Sequence, residues 1–399
     1  MKATLDTGST FNGYLVSRRS SFFVRVLSVG VIAHLYVGAR LIPDAGLTTG
    51  QSLLAVLALI IMLALIPQGM LRRATTSSRN NDRIAWLGLL AMGLFSSLFV
   101  LTLLRDVMLL VVWLASVWAT GLDLAAVRQI SARAVPALAL LASLVGFYNA
   151  RRRAPVVIVE VPIAGLPDEL AGFTIVQISD IHVGPTIKRG YVQAIVEAVN
   201  DLQPDMVAIT GDLVDGSVAS LATHTAPLSQ LRARRGVYVV TGNHEYYSGA
   251  QAWVDAFRGL GLHVLMNEHV VFRHNGRTIV VAGVTDYSGG GFDPTHASDP
   301  VGAMAGAPDR SDVRLLLAHQ PRSAQAAAGV GYHLQLSGHT HGGQFFPWGF
   351  FVRFQQPYTA GLHRHGPMWV YTSRGTGYWG PPKRLGAPSE ITRIRLIPG

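Results

Sequence analysis

The 399-residue chain contains no cysteine. Disulfides, thiolate metal ligands and a cysteine nucleophile are therefore excluded, although the compartment stays open. Charge is also scarce: Asp, Glu, Lys and Arg make up 14% of residues, against 49% hydrophobic. That balance is too apolar for an ordinary soluble protein. Lysine is nearly missing, with only Lys2, Lys188 and Lys383 beside 30 arginines, a bias that reads as genome composition rather than function. No internal repeat or low-complexity tract stands out.

The net charge of +10 resembles that of a nucleic-acid binder until it is divided. Residues 1–153 hold 15 Lys+Arg against 5 Asp+Glu, whereas residues 154–399 hold 18 of each. The excess sits among apolar segments, where it flanks membrane spans, and no nucleic-acid partner is expected.

Apolar length is what the first 150 residues do have. Runs occur at Phe22–Ile42, Ser52–Pro67, Ile84–Leu104, Val107–Ala126 and Ala134–Tyr148. Crossing ~30 Å of hydrocarbon takes about 20 helical residues. The first and third runs suffice, the second does if it reaches Leu71, and the fourth does only by including Asp123. The last is short enough to be either a brief span or an interfacial helix. The expectation is an α-helical transmembrane domain over residues 1–150 with four or five spans. So many runs also exclude a single cleaved signal peptide. Ser17-Arg18-Arg19 ahead of Phe22-Phe23 reads as the basic anchor of a first span rather than a twin-arginine export signal. Arg105-Asp106 reads as a tight turn between two antiparallel helices, with an intramembrane ion pair of functional role as the alternative.

Past Arg151-Arg152-Arg153 the pattern changes. Short β-branched runs alternate with amphipathic stretches, indicating an α/β domain over residues 151–399. Strands are expected at Val156–Val161, Thr174–Ser179, Met206–Thr210, Val237–Thr241, Thr278–Val284, Arg314–Ala318 and Leu334–Leu336, and helices at Tyr191–Asp201 and Gln251–Leu260. Five of these strands end in polar chemistry: Asp180-Ile181-His182, Gly211-Asp212, Gly242-Asn243-His244-Glu245, His319, and Gly338-His339-Thr340-His341. Strand C-termini are where open α/β sheets place ligand sites. Carboxylates hold divalent cations, and imidazoles select Mn, Fe, Zn or similar over Mg and Ca. Asp-x-His and His-x-His would put two ligands on one side of an extended segment, and the adjacent glycines would let the backbone turn and phosphate oxygens approach. Each signal alone is weak, since a buried histidine is usually structural and an aspartate after a strand usually a cap. Five in order are not.

These blocks, D-x-H, G-D, G-N-H-[DE], H and G-H-x-H, resemble the calcineurin-like metallophosphoesterase superfamily. The resemblance is closer to a branch of membrane proteins in which helices precede the catalytic domain. Ile175–His182, Leu317-Ala318-His319-Gln320-Pro321, Ser337–Gln344, Arg374-Gly375-Thr376-Gly377 and Pro388-Ser389-Glu390-Ile391 carry it. It implies a four-layer α-β-β-α sandwich with mixed sheets and two divalent metal ions. One ion would be held by Asp180, His182, Asp212 and His341, and the other by Asp212, Asn243, His319 and His339, with Asp212 shared. His244, not a ligand, would protonate the leaving oxygen or stabilise the transition state. Asp215 and Glu245 flank ligands as supporting or capping groups. The other nine histidines read as solvated or structural, with His363 and His365 as candidates for the substrate mouth.

The resemblance implies a hydrolase for a phosphodiester or for the pyrophosphate bond of a lipid-linked substrate such as UDP-2,3-diacylglucosamine in lipid A synthesis. The alternatives weighed are an inactive phospho-ligand-binding membrane sensor and a transporter with an accessory esterase. The former would call for a missing ligand, and none is missing. The latter lacks the paired broken helices of inverted repeats. Six aromatics crowd Phe345–Phe354. Half of them are expected in a core strand pair and the rest at a mouth facing the bilayer, where Trp348 and Arg353 would contact substrate and membrane lipids. The distribution of arginines favours a multi-pass protein of the inner membrane with its catalytic domain in the cytoplasm.

Overall fold

The computed structural model describes residues 8–71, 79–118 and 121–399. Among these, four helices are long and apolar enough to cross a membrane: α1 (Gly8–Leu41), α2 (Thr49–Leu71), α3 (Arg79–Ser116) and α4 (Leu124–Arg151). The number falls within the expectation, but the helices are assembled differently. Arg105-Asp106 is not a turn. α3 runs straight through it, joining the third apolar run to the first half of the fourth, and the last run, lengthened back to Leu124, becomes a full span. The reason is long-range pairing. Arg105 bonds to Asp44, to Ser131 Oγ (2.9 Å) and to the carbonyl oxygens of Arg40 and Arg128, while Asp106 accepts from Arg40 Nε (2.9 Å) and the Tyr36 hydroxyl (2.7 Å). Charges neutralised by neighbouring helices can stay inside a helix that unpaired charges would end. Ion pairs with Arg40 and Asp44 form in place of the turn.

The chain divides into two compact units. One takes in the residues up to Gly69 with Leu90–Ala142, and its core includes Val37, Leu41, Leu98, Val135 and Ala139. The other takes in Met70–Leu89 with Ser143–Gly399, so the first turns of α3 and the last turns of α4 belong to the α/β unit.

Among its described residues that unit contains twelve strands: β1 (Val156–Ile163), β2 (Thr174–Ile178), β3 (Met206–Ile209), β4 (Val237–Val239), β5 (His263–Val264), β6 (Glu268–His274), β7 (Arg277–Gly283), β8 (Val313–Leu317), β9 (Leu334–Ser337), β10 (Gly361–His365), β11 (Met368–Thr372) and β12 (Ile391–Pro398). They form two six-stranded mixed sheets, ordered β1-β12-β2-β3-β4-β5 and β10-β11-β9-β8-β7-β6. β2 to β5 run parallel, as do β7, β8, β9 and β11, whereas β12 is antiparallel to β2, and β6 and β10 are antiparallel edges.

The central strands are apolar on both faces because both faces are covered. Ile175, Ala208, Val281, Leu315, Leu336 and Ile394 meet between the sheets, each burial stabilising the fold by roughly 1.5–3 kcal/mol for the larger side chains. The outer face of the first sheet packs under α5 (Arg189–Asp201), α6 (Val218–Thr225), α7 (Asn243–Ser248) and α8 (Ala250–Gly259), burying Ile195, Val199, Leu221, Trp253 and Phe257. The outer face of the second sheet is covered more thinly, by turns and a single helical turn at Ala324–Ala327 over Ala282, Leu316 and Val370. The result is the four-layer sandwich, with one layer thin.

Candidate metal centre

β2 leads into Asp180 and His182, β3 into Asp212, β4 into Asn243 and His244, β8 into His319, and β9 into His339 and His341. The structure brings all eight side chains into one largely buried cluster. Donor atoms of Asp180, His182 and His341 lie within 4.8 Å of one another, and so do those of Asp212, His319 and His339. In the first group, His182 Nε2 faces His341 Nε2 at 3.0 Å, and His341 Nε2 is 3.5 Å from Asp180 Oδ1. In the second, His319 Nε2 is 3.2 Å from Asp212 Oδ2, from Asn243 Oδ1 and from His339 Nδ1. Asp212 Oδ2 is also 3.8 Å from His182 Nε2, which links the groups.

The backbone reaches this geometry by a route that alternation does not describe. Asp180, His182, Asp212, His339 and His341 all have positive φ, between 51° and 71°. These segments are therefore not extended. Left-handed residues alternate with ordinary ones, and each such L-residue carries strain of about 1–3 kcal/mol, which the surrounding fold must hold. Gly211 turns the chain as expected (φ 88°), whereas Gly242 and Gly338 serve a different purpose. A Cβ on Gly242 would overlap the Asp212 carboxylate, and one on Gly338 would overlap Ser179 and the Asp180 carboxylate. The space they leave is filled by ligand oxygens.

Further groups fix the orientation of the donors. His319 Nδ1 donates to the Thr210 carbonyl (2.7 Å), which turns Nε2 inward. Asp215 Oδ1 receives both His244 Nδ1 and His182 Nδ1. The Glu245 carboxylate accepts from the backbone N–H groups of Gly242 (2.6 Å), Asp212 (2.9 Å) and Leu213 (2.7 Å), tying the β3 and β4 loops together. Burial pushes Asp180 upward against the pull of His319. Burial, with Asp212 adding to it, raises Glu245 to about 7. Burial would raise Asp212 as well, but His319 and His244 hold it well below the usual carboxylate range. Burial, then the His319 charge, depresses His339 to about 3. Burial would lower His319, but the Asp212 carboxylate holds it well above the ordinary imidazole range. Imidazoles beside crowded buried carboxylates are a donor set that divalent cations satisfy.

A cavity of about 620 Å³ opens over the cluster. His182, Asp212, Asn243, His244, His339 and His341 line one side, while Met70, Tyr247, Gln355 and Trp379 are among the residues completing the wall. Trp348 and Arg353 do not line it, although Gln355 of the same loop does. Of the six loop aromatics only Phe345 is buried; no core strand pair forms, because the chain turns at Gly343 (φ 80°) and again in a helical turn at Gly349–Val352. His363 and His365 instead pack against Tyr358.

Sequence reasoning missed Arg384. It is fully buried and donates to the carbonyl oxygens of His341 (2.9 Å), Arg374 (2.7 Å) and Gly377, with Nη2 3.1 Å from His341 Nδ1. Burial, then the charges of His182 and Arg384, holds His341 well below its ordinary pKa, and so neutral. Nothing local marks Arg384, since a Lys-Arg pair after two prolines reads as solvent-facing.

Residues 173–343 match the family model described as calcineurin-like phosphoesterase. The chain is 41% identical over 260 residues to a zebrafish (Danio rerio) protein named transmembrane protein with metallophosphoesterase domain, covering 63% of this chain and 59% of the relative. The bovine (Bos taurus) protein of the same name is 42% identical, with 65% and 62% covered. The chain thus spans about three fifths of the length of these relatives. An uncharacterized metallophosphoesterase of Aquifex aeolicus is 32% identical, with 56% of this chain and 84% of the relative covered.

Proposed function

Because the chain belongs to the calcineurin-like metallophosphoesterases, we propose that it is a membrane-anchored, metal-dependent phosphohydrolase, with residues 1–150 as the anchor and 151–399 as the catalytic domain. One observation carries this reading: two donor groups drawn from five strand ends lie under one cavity and are linked through Asp212, whose Oδ2 is 3.2 Å from His319 Nε2 and 3.8 Å from His182 Nε2, with His244 at the cavity wall. Asp180, His182, Asp212 and His341 are assigned to one divalent ion, and Asp212, Asn243, His319 and His339 to the other. Such ions supply Lewis acidity toward a phosphoryl group. His244 does its own part. Its Nδ1 is anchored on Asp215, so Nε2, 4.0 Å from Asp212 Oδ2, would carry a proton to the departing oxygen.

The proposed substrate is a phosphodiester or a lipid-linked pyrophosphate, as in lipid A precursors. The mixed cavity supports it, with metal-type donors on one wall and Met70, Tyr247 and Trp379 on another. Trp348 and Arg353, on the loop that supplies Gln355, are assigned to the lipid portion. The test is the full chain, reconstituted with Mn, Fe or Zn and assayed on a phosphomonoester, a soluble phosphodiester and a nucleotide–lipid pyrophosphate such as UDP-2,3-diacylglucosamine. Metal-dependent turnover of either of the last two supports the reading, and no turnover of any with metal bound would refute it.

A further inference from the structure

We infer that residues 346–354 form a wedge by which the α/β unit itself enters the interfacial zone of the bilayer. This inference stands whatever the substrate is. Five large aromatics in nine residues are exposed: Phe346 50%, Trp348 46%, Phe350 58%, Phe351 54% and Phe354 80%. They pack on one another, with ring centroids 6.0 Å apart for Phe346 and Phe350 and 5.8 Å apart for Trp348 and Phe351. Exposed apolar surface of that density marks an interaction site.

The identity of the partner follows from what the base of the loop touches. Lys383 Nζ lies 5.4 Å from the Phe345 ring centroid and donates to Ser143 Oγ of α4 at 3.2 Å. Its stem packs against Gly146 so closely that a Cβ there would overlap it, and Arg384 N donates to the Gly146 carbonyl (2.8 Å). Phe346 N in turn donates to the Leu385 carbonyl at 3.0 Å. The loop is thus fastened to α4 at the level of Ser143, eight residues and about 12 Å before the helix ends at Arg151. On the stretch of α4 beyond Ser143, Leu144, Val145 and Tyr148 are exposed apolar residues on a membrane-length helix. A loop held at that depth meets the same solvent they do. Aromatic rings with an arginine, Arg353, among them suit the boundary between headgroups and acyl chains, where rings shed water and the cation meets phosphate.

The absence of cysteine makes the test direct. Phe350→Cys and Phe354→Cys are labelled singly with an environment-sensitive fluorophore in the full chain, in nanodiscs of phosphatidylcholine and phosphatidylglycerol. Val271→Cys, on the far edge strand β6, is the reference. Nitroxides on the lipid acyl chains should quench the labels at 350 and 354 several-fold more than the one at 271, and aqueous iodide should show the reverse order. The proposal is overturned if iodide reaches 350 and 354 as readily as 271 while lipid nitroxides do not, or if both labels are shielded from both quenchers, which would place them between protein copies.

Discussion

His244 Nδ1 lies 2.5 Å from Asp215 Oδ1, and the same oxygen is 3.3 Å from His182 Nδ1. One buried carboxylate thus holds both the proposed proton donor and a proposed metal ligand. Removing His244 should leave metal bound yet cut turnover by ~10²–10³-fold, as removing one transition-state donor does. Asp215→Asn should fall in the same range, and the double variant should lose little more than either single one, since coupled groups are not additive. Losses that simply multiply would mean the two residues act independently.

On the proposed assignment Asp212 is shared by the two ions, its Oδ2 lying 3.2 Å from His319 Nε2 and 3.8 Å from His182 Nε2. Asp212→Asn should lower metal content at both sites, whereas His182→Ala and His319→Ala should each deplete one. Elemental analysis of the purified full chain reads this directly. If the unaltered protein carries no transition metal and chelators leave its activity intact, the two-ion assignment falls.

Arg384 can be separated from a merely structural role. A lysine there keeps the charge but cannot bond several carbonyl oxygens in a plane. Arg384→Lys should weaken metal retention by ~10–100-fold, the usual effect of losing a group that orients a ligand. Excess metal should then restore turnover. Unchanged metal affinity, or activity that added metal does not rescue, would rule out the positioning role.

Sidedness follows from an even number of spans. With α1 starting inside, the inner side carries Lys2, Arg18, Arg19, Arg72, Arg73, Arg79, Arg83 and Arg151–Arg153, of which Lys2, Arg72 and Arg73 lie outside the described residues. Because α3 is continuous, Arg128 and Arg133 join Arg40 and Arg105 toward the other side. The bias still favours a cytoplasmic catalytic domain. Reporter fusions after residue 155 should be active only in the cytoplasm; activity confined to the periplasm would reverse the assignment.

What could be read in advance was local. The strands ending at Asp180, Asp212, Asn243 and His319 are short β-branched or leucine-rich runs stopped by polar residues, and those runs need no partner to be recognised. Arg105-Asp106 misled because a charge pair inside an apolar run looks like a break, and the partner that neutralises Arg105, Asp44, is 61 residues away. Arg384 was invisible for the same reason, since its partners lie in two other segments, His341 being 43 residues away. β6 and β12 are alternating strands whose charged residues face outward, so they read as loops until the sheets that flank them are known.

The donors are divided between the two sheets, and that division has a mechanical side. Asp180, His182, Asp212 and Asn243 hang from β2, β3 and β4, while His319, His339 and His341 hang from β8 and β9 of the other sheet. On the proposed assignment each ion takes ligands from both, so it acts as a rivet across the seam at one end of the sandwich. The left-handed backbone at five of these residues works against that rivet, like a spring held compressed. Stripping the metal should release the spring locally. Amide exchange would then quicken first in the loops after β2, β3 and β9, while the apolar packing between the sheets stays shut.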